Sequence, residues 1–445
     1  MPLHRKTSLL SLTLVFLMLS ACAGGKPHIS ATAPQQSGPI ADLRTFPQDL
    51  TVYARSVGQS KRLLSADEQA QSQQRFLSKF FGPWAMTRST VRKSEVSGIL
   101  RKARGYKHGD VRWTQEEWDV IAANANMKDF PCLARPAITL RNTDLREIPT
   151  HETRFTKPVY DAHEYPFDEF QYSLLPIGTP LFVTHVSNDR RWLFVECPVA
   201  AGWVDANDVA PADESFRQQW RTGRYAALVR DKVSLGNTLA GIGTVLPLTG
   251  ASGSSLSVLC PVAGPDGMAR VQQVTLSKND AAPMPLPLTP GNVAQLGNHI
   301  MGTPYGWGGM FGNRDCSALT RDLLAPFGIW LPRNSRPQAA TGIVQPLDGM
   351  SADEKERIIL SQGTPFLSLV GMRGHIMLYV GKHKGRAAIF HDLWGVRVID
   401  GANDNGRCVV GKAVVTSITP GIELPNLYRT KTFVDHLRTL STPRP

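Results

Sequence analysis

Asp315-Cys316-Ser317-Ala318-Leu319 opens a stretch with apolar residues at Leu319, Leu323, Leu324 and Phe327. That spacing lays one apolar stripe along a helix, with Pro326 and Gly328 to end it. Cys316 then sits at a helix N-terminus. Unsatisfied N–H groups and the helix dipole favour an anion there, lower a thiol pKa and can hold an oxyanion. A nucleophilic thiol needs a base. Residues 374–381, Gly-His-Ile-Met-Leu-Tyr-Val-Gly, read as a strand. Ile376, Leu378 and Val380 share one face, and His375, Met377 and Tyr379 the other. The next apolar run, 387–390, ends at His391. A hairpin would bring His391 to the far nitrogen of His375 and fix its tautomer and orientation. His383 is a rival third member, but it lies in the polar turn 382–386, which favours His391.

Other elements must position these groups. Residues 292–301 read as a helix, followed by a glycine-rich loop, Thr303-Pro304-Tyr305-Gly306-Trp307-Gly308-Gly309. Residues 281–290 carry four prolines and read as a linker. Before it, residues 131–280 hold short β-rich runs between turn residues. They repeat: Ile177-Gly178-Thr179-Pro180-Leu181 is echoed by Ile242-Gly243-Thr244-Val245-Leu246, and Cys197-Pro198-Val199-Ala200 by Cys260-Pro261-Val262-Ala263. Two matches at nearly one spacing predict two copies of one fold, 131–212 and 213–280. The repeated cysteine reads as a small core residue. Residues 46–130 read as a small helical domain, with Ser65/Glu68 and Thr114/Glu117 as start signals.

Tyr-Gly-Trp-Gly-Gly, Asp-Cys-Ser, the helix after it, Gly-His on an apolar strand and a second strand ending Phe-His occur in one order. In that order they resemble the NlpC-type cell-wall cysteine peptidases, which have a papain-like fold. Gly202-Trp203-Val204, Ile177 to Leu181 and Ser187 to Trp192 resemble bacterial SH3 domains. The second copy keeps this pattern less well, with Ala269-Arg270-Val271 where Trp-Val would stand. The resemblance implies a multidomain α+β chain: a small helical N-terminal domain, two SH3-like β-barrels and, over 291–445, a papain-like α+β peptidase domain. It implies Cys316 as nucleophile, His375 as base and His391 as third member. Tyr305 matches the tyrosine near the oxyanion site. Asp315 matches the acid that takes the free amine of the substrate's terminal L-alanine, with Ser317 beside it. Residues 331–338 resemble the groove-lining segment, where Arg333, Ser335 and Gln338 are either substrate contacts or structural. The first SH3 domain of such relatives closes one end of the groove. Asp144, Glu164, Tyr165, Asp168 and Glu169 are its polar or aromatic residues here, and the sequence does not choose among them. Two departures stand out: Ala318 replaces the usual Gly, and the two histidines are farther apart than usual.

The implied activity is cleavage of murein stem peptides between γ-D-glutamate and the L-diamino acid, without metal or organic cofactor. The alternatives are an N-acetylmuramoyl-L-alanine amidase on the same fold, or a cell-wall binding protein of slight activity. The implied partner is peptidoglycan or its stem peptides, and the expected state is a monomer.

The chain has 445 residues, 42% of them hydrophobic and 19% charged. That is a globular composition, not a highly charged disordered one. The net charge of +12 is spread out and forms no arm for nucleic acid. His4, Arg5 and Lys6, an apolar stretch over 9–19 and Leu19-Ser20-Ala21-Cys22 resemble a lipoprotein signal peptide over 1–22, with Cys22 as the lipidated residue. Residues 23–45 read as a flexible tether. The expectation is a lipid anchor in the cell envelope, on the periplasmic face of the outer membrane if the host has one. No CxxC, HExxH or Walker A motif occurs.

Overall fold

The computed structural model describes residues 39–161, 165–400 and 403–444. The signal peptide, Cys22 and most of the tether lie outside the described residues. Helices α1 (Asp42–Thr45), α2 (Leu50–Val57), α3 (Ala66–Phe80), α4 (Lys93–Ile99) and α5 (Gln115–Asn124) come first. Both start signals are capping boxes: Ser65 with Glu68 on α3, Thr114 with Glu117 on α5. Each N-cap is worth about 1 kcal/mol.

The helical region is present; residues of 91–130 form most of one cluster of their own, and the rest of the region packs on the other modules. Leu50 and Tyr53 of α2 sit in one cluster with Val293, Leu319, Leu378 and Phe390 of the C-terminal part. Phe76 of α3 packs with Tyr225 and Ala325. Val96 and Trp118, from α4 and α5, pack with Phe194 and Trp203. Short amphipathic helices cannot bury their apolar faces alone. These are laid along the other modules as a strap.

Two β modules follow. The first is a seven-stranded sheet of β1 (Arg135–Thr139), β2 (Thr143–Arg146), β3 (Gln171–Leu175), β4 (Pro180–Val186), β5 (Trp192–Glu196), β6 (Ala201–Asp205) and β7 (Val209–Pro211), in the order β3-β2-β6-β5-β4-β1-β7. Helix α6 (Glu214–Trp220) leads to the second. Its strands are β8 (Tyr225–Leu228), β9 (Val233–Leu235), β10 (Thr238–Ala240), β11 (Val245–Ser252), β12 (Ser255–Ala263), β13 (Ala269–Ser277) and β14 (Ala281–Met284). Strands β9 and β10 form a separate pair, and the rest run β13-β12-β11-β8-β14. The sequence repeat is a structural one: Gly178 and Gly243, with φ of 80° and 94°, turn the chain into β4 and β11. Residues 281–284 are not linker. They pair with β8 and finish the second module, and Pro290 already starts the next helix. Prolines at a sheet edge need no partner for the N–H they lack, which is why this segment reads as linker.

The C-terminal part holds α7 (Pro290–Ile300), α8 (Cys316–Leu324), α9 (Ser335–Gln338), β15 (Ile343–Pro346), α10 (Ala352–Gln362), β16 (Leu369–Met372), β17 (His375–His383), β18 (Arg386–Asp400), β19 (Asn403–Thr416) and β20 (Leu437–Thr442). The sheet order is β15-β20-β16-β17-β18-β19. Ile376, Leu378 and Val380 face α7 and α8. Met377 and Tyr379 face Ile359 and Leu437. The alternation of β17 thus holds. Strand β18 runs well past His391, where the apolar run ends. The β17–β18 turn is only Lys384-Gly385, both at positive φ, so the histidine spacing comes from strand length, not from an inserted loop.

Candidate active site

Asp315 is the N-cap of α8 and accepts from the Ser317 and Ala318 amides at 3.1 and 2.8 Å. It also accepts from Ser317 Oγ (2.9 Å), the Gly308 amide (3.1 Å), and Arg333 Nη1 (3.1 Å) and Nη2 (2.6 Å). Burial opposes its charge, but Arg333 and these donors outweigh burial and hold the carboxyl at about 2. Six donors exceed the roughly four lone-pair sites of a carboxylate. Its charge holds Arg333 and the helix start, and Asp315 also lines the cavity into which Cys316 opens. Ser317 is held in the same network. Arg333 also donates to Ser173 at 2.9 Å, and Gln338 donates to the Ser317 and Pro332 carbonyls. Gln338 is structural, whereas Arg333 and Ser335 both line the cavity.

Cys316 is buried at the first position of α8. The Ile376 amide donates to its sulfur, which sets the start of β17, and so His375, beside the thiol. His375 Nε2 and His391 Nδ1 are 2.7 Å apart, and His391 Nε2 is 3.1 Å from Thr416 Oγ1. Phe433 packs on both imidazoles, 6.0 Å from each ring centre. His383 instead packs on Phe46, 5.5 Å away, at the far end of β17. The helix N-terminus does not win over the thiol. Burial pushes Cys316 up to about 12, with Asp315 adding to it. Burial likewise drives His375 down to about 4 and His391 well below its ordinary range. At this site a neutral thiol meets a neutral imidazole, the reverse of the depressed thiol expected from the helix alone. Desolvation of both charged forms is the reason.

Cys316 opens into a cavity of about 880 Å³ between the C-terminal part and the first β module. Tyr305, Trp307, Asp315 and Ser317 line it from one side, and Glu147, Glu169, Gln171 and Tyr172 from the other. Arg336, Arg373 and Arg438 also line it. Phe167 of the first module inserts among Tyr305, Trp307 and Trp394, with ring centres at 5.7, 5.4 and 5.2 Å. Gln171 donates to the Gly308 carbonyl at 3.2 Å. The glycine run is required by this approach: Gly308 and Gly309 have φ of 61° and 93°, and a Cβ on Gly309 would stand 2.4 Å from Leu174.

Of the first module's expected residues, Glu169 lines the cavity. Asp168 is buried on Arg146 at 2.7 Å, Asp144 accepts from Gln171 at 2.6 Å, and Tyr165 packs on Phe167. Glu164 lies outside the described residues. Sequence reasoning missed Glu147, Arg154 and Phe167. Arg154 reaches Glu147 and Glu169, both at 3.4 Å. All three lie in the segment joining β2 to β3, too long for an ordinary β-connection. That length was the available signal. The five described cysteines are free thiols. Among the described residues no group of His, Cys, Asp or Glu is arranged to hold a metal ion, and no helix is long and apolar enough to cross a membrane.

Three family models match the chain: the NlpC/P60 N-terminal stabilising domain at residues 11–130, an SH3 domain of the SH3b1 type at 153–205, and the NlpC/P60 family at 302–399. An NlpC/P60 endopeptidase from Photobacterium damselae subsp. piscicida superposes with a TM-score of 0.78 at 25% identity, covering 90% of this chain and 98% of that one. An NlpC/P60 family protein from Bacillus cereus aligns at 18% identity with a TM-score of 0.46, covering 70% and 100%. A γ-D-glutamyl-L-lysine dipeptidyl-peptidase of Bacillus subtilis is 31% identical over 137 residues. That match takes in 29% of this chain, and the chain spans 44% of that protein's length.

Proposed function

From a chain that carries an NlpC/P60 domain behind its stabilising segment and an SH3 domain, we propose a peptidoglycan hydrolase: a cysteine endopeptidase that cuts murein stem peptides between γ-D-glutamate and the L-diamino acid. The observation that carries the reading is the groove itself, with a thiol at a helix start, a histidine pair beside it and opposite charges along its walls. Glu147 and Glu169 on the SH3 wall suit the free amine of a terminal L-alanine. Arg336, Arg373 and Arg438 suit the carboxylates on the leaving side. The name of the Bacillus subtilis relative points to the same bond.

Cys316 Sγ attacks the γ-glutamyl carbonyl as its proton passes to His375. The Cys316 N–H, at the α8 start ahead of the two amides that Asp315 engages, stabilises the oxyanion. The C–N bond breaks, the leaving amine takes the proton from His375, and a thioester remains. Water then adds, giving its proton to His375; the C–S bond breaks, Cys316 Sγ takes that proton back, and L-Ala-γ-D-Glu leaves with a new carboxylate. Lipid anchoring through Cys22, on the periplasmic face where an outer membrane exists, belongs to the same proposal. Metabolic labelling with a palmitate analogue, lost in Cys22→Ala, tests it.

The activity test is mass spectrometry of products from L-Ala-γ-D-Glu-diaminopimelate-D-Ala and its N-acetylated copy. L-Ala-γ-D-Glu is expected from the free peptide alone, and Cys316→Ala abolishes its release. Cleavage of both peptides would remove the amine preference. Cleavage of neither, with release of stem peptides from intact murein, would replace the endopeptidase by an amidase.

A further inference from the structure

We propose that the N-terminal helical strap sets the tautomer of the histidine pair, through Asp42 and Gln48 acting on Thr416. This rests on the catalytic reading of Cys316, His375 and His391. The direction of the hydrogen-bond chain follows from its end. The Ser417 carbonyl can only accept, so the Thr416 hydroxyl donates to it at 2.7 Å. With that hydrogen committed, Thr416 Oγ1 must accept from His391 Nε2 at 3.1 Å. A neutral His391 then keeps its lone pair on Nδ1. His375 therefore donates from Nε2 across the 2.7 Å bond. The lone pair of His375 is left on Nδ1, the nitrogen not engaged by His391, where it serves as base to the thiol. In the opposite tautomer His391 Nδ1–H would donate to His375 Nε2. His375 would then carry its proton on Nδ1 and have no lone pair for the thiol.

The orientation of the Thr416 hydroxyl depends on where the Ser417 carbonyl points, and the sheet does not decide that. β19 is the edge strand, and its pairing with β18 ends at Thr416 opposite Ile389. The strap supplies what the ladder lacks. The Ser417 amide and hydroxyl both donate to Asp42 Oδ2 at 2.8 Å. On the other side, Gln48 donates to the Val415 carbonyl at 2.8 Å and accepts from the Val415 amide at 2.9 Å. Thr416 is thus held between two residues gripped by side chains from the other end of the sequence. Asp42, His391, Thr416 and Ser417 are all buried, so water does not substitute for any member. Asp42 and Gln48 are positioning residues; neither touches substrate.

The test uses the full chain with four substitutions, Thr416→Val, Thr416→Ser, Asp42→Ala and Asp42→Asn, and two readouts. The first is kcat and KM on the free-amine tetrapeptide. Wrong tautomers and lost supporting partners cost one to four decades in other enzymes. Thr416→Val and Asp42→Ala are expected to lower kcat about 10- to 100-fold with KM within about 2-fold, because the base is lost and not the binding. Thr416→Ser keeps the hydroxyl, and Asp42→Asn keeps an acceptor for the Ser417 amide. Both should recover to within about 3-fold of the unsubstituted chain. The second readout is the 15N shift of the imidazole nitrogens after histidine labelling. Both histidines should carry hydrogen on Nε2, and Thr416→Val should give His391 a mixture. Unchanged tautomers in Thr416→Val, or equal losses in Thr416→Val and Thr416→Ser, overturn the proposal. The NMR arm needs no substrate, so failure of the endopeptidase reading and failure of this one remain distinct.

Discussion

The two β modules come from one repeated pattern, yet they meet the C-terminal part in different ways. The first enters the groove: β3 runs against Gly308 and Gly309, Phe167 wedges among three aromatic rings, and Glu147 and Glu169 form a wall. The second stays behind the site. Asp231 there grips both Nη atoms of Arg314 at 2.7 Å, and Gly243 packs against the Asp322 backbone. Arg314 precedes Asp315 and also bonds Asp322 at 3.0 Å, so the second module steadies the α8 start from its hidden face. The strand framework was kept in both. What diverged is the connection between strands, long in the first module between β2 and β3. A strand framework sets where its loops emerge and leaves their chemistry free, so one module forms a groove wall and the other a buttress.

The largest effect is expected at Arg333, which ties Ser173 of the first module to Asp315. Both charges of the Arg333–Asp315 pair are buried. Arg333→Met strands the carboxylate, and losing one partner of a buried pair costs about 3–5 kcal/mol. Urea unfolding should show it, with turnover lost as well. Gly309→Ala is next. It forces a Cβ into Leu174 at a φ of 93°, a strain of about 2–3 kcal/mol, and should lower kcat/KM because β3 must back away from the catalytic loop. Asp231→Ala should separate the modules: a stability loss of about 1–3 kcal/mol, since Arg314 keeps Asp322, with the free-amine preference unchanged. Glu147→Gln with Glu169→Gln should move that preference. KM for the free-amine peptide rises and the acetylated peptide gains relative to it, with a stability loss of about 1–3 kcal/mol because buried Arg154 keeps only neutral acceptors. If Asp231→Ala shifted the amine preference as strongly as the glutamate pair, the division of labour would be wrong.

Much of this was legible in the sequence because the period and the chemistry coincide. The α8 stripe, the alternation of β17 and the two capping boxes each depend on neighbours a few residues away. The charge state of Cys316 was not legible, because it depends on the depth of the groove and on Asp315 lying beneath the thiol. Nor was the donor set of Asp315, which comes from Gly308, α8 and Arg333 at once. The packing partners of the strap were not legible for a related reason. Helical spacing reports that an apolar face exists, and α2, α3 and α5 have partners in three different clusters. Segment 281–284 was lost to its prolines, which mark an edge strand as readily as a linker.

Acidity has the smallest expected effect, and it too separates the modules. His375 and His391 are held neutral by burial, His375 down to about 4. In the unfolded chain both titrate near the ordinary 6.5. Below that value the unfolded state binds protons that the folded state refuses, so stability falls as pH drops from about 6.5 to about 4. His185, buried in the first module, shifts in the same direction. The second module has no histidine and contributes none of this slope. Asp315, at about 2 against an ordinary 3.8, continues the loss at still lower pH. On the alkaline side Cys316, at about 12 against an ordinary 9.0, makes the folded state the better proton binder, so stability declines above pH 9. The same values fix the rate profile. The reacting pair holds a single proton between about pH 4 and pH 12, so kcat/KM should be flat across neutrality with an acid limb near 4. An acid limb near 6.5 would mean that His375 is solvated before substrate enters, and that the dry, neutral pair is not the reacting form.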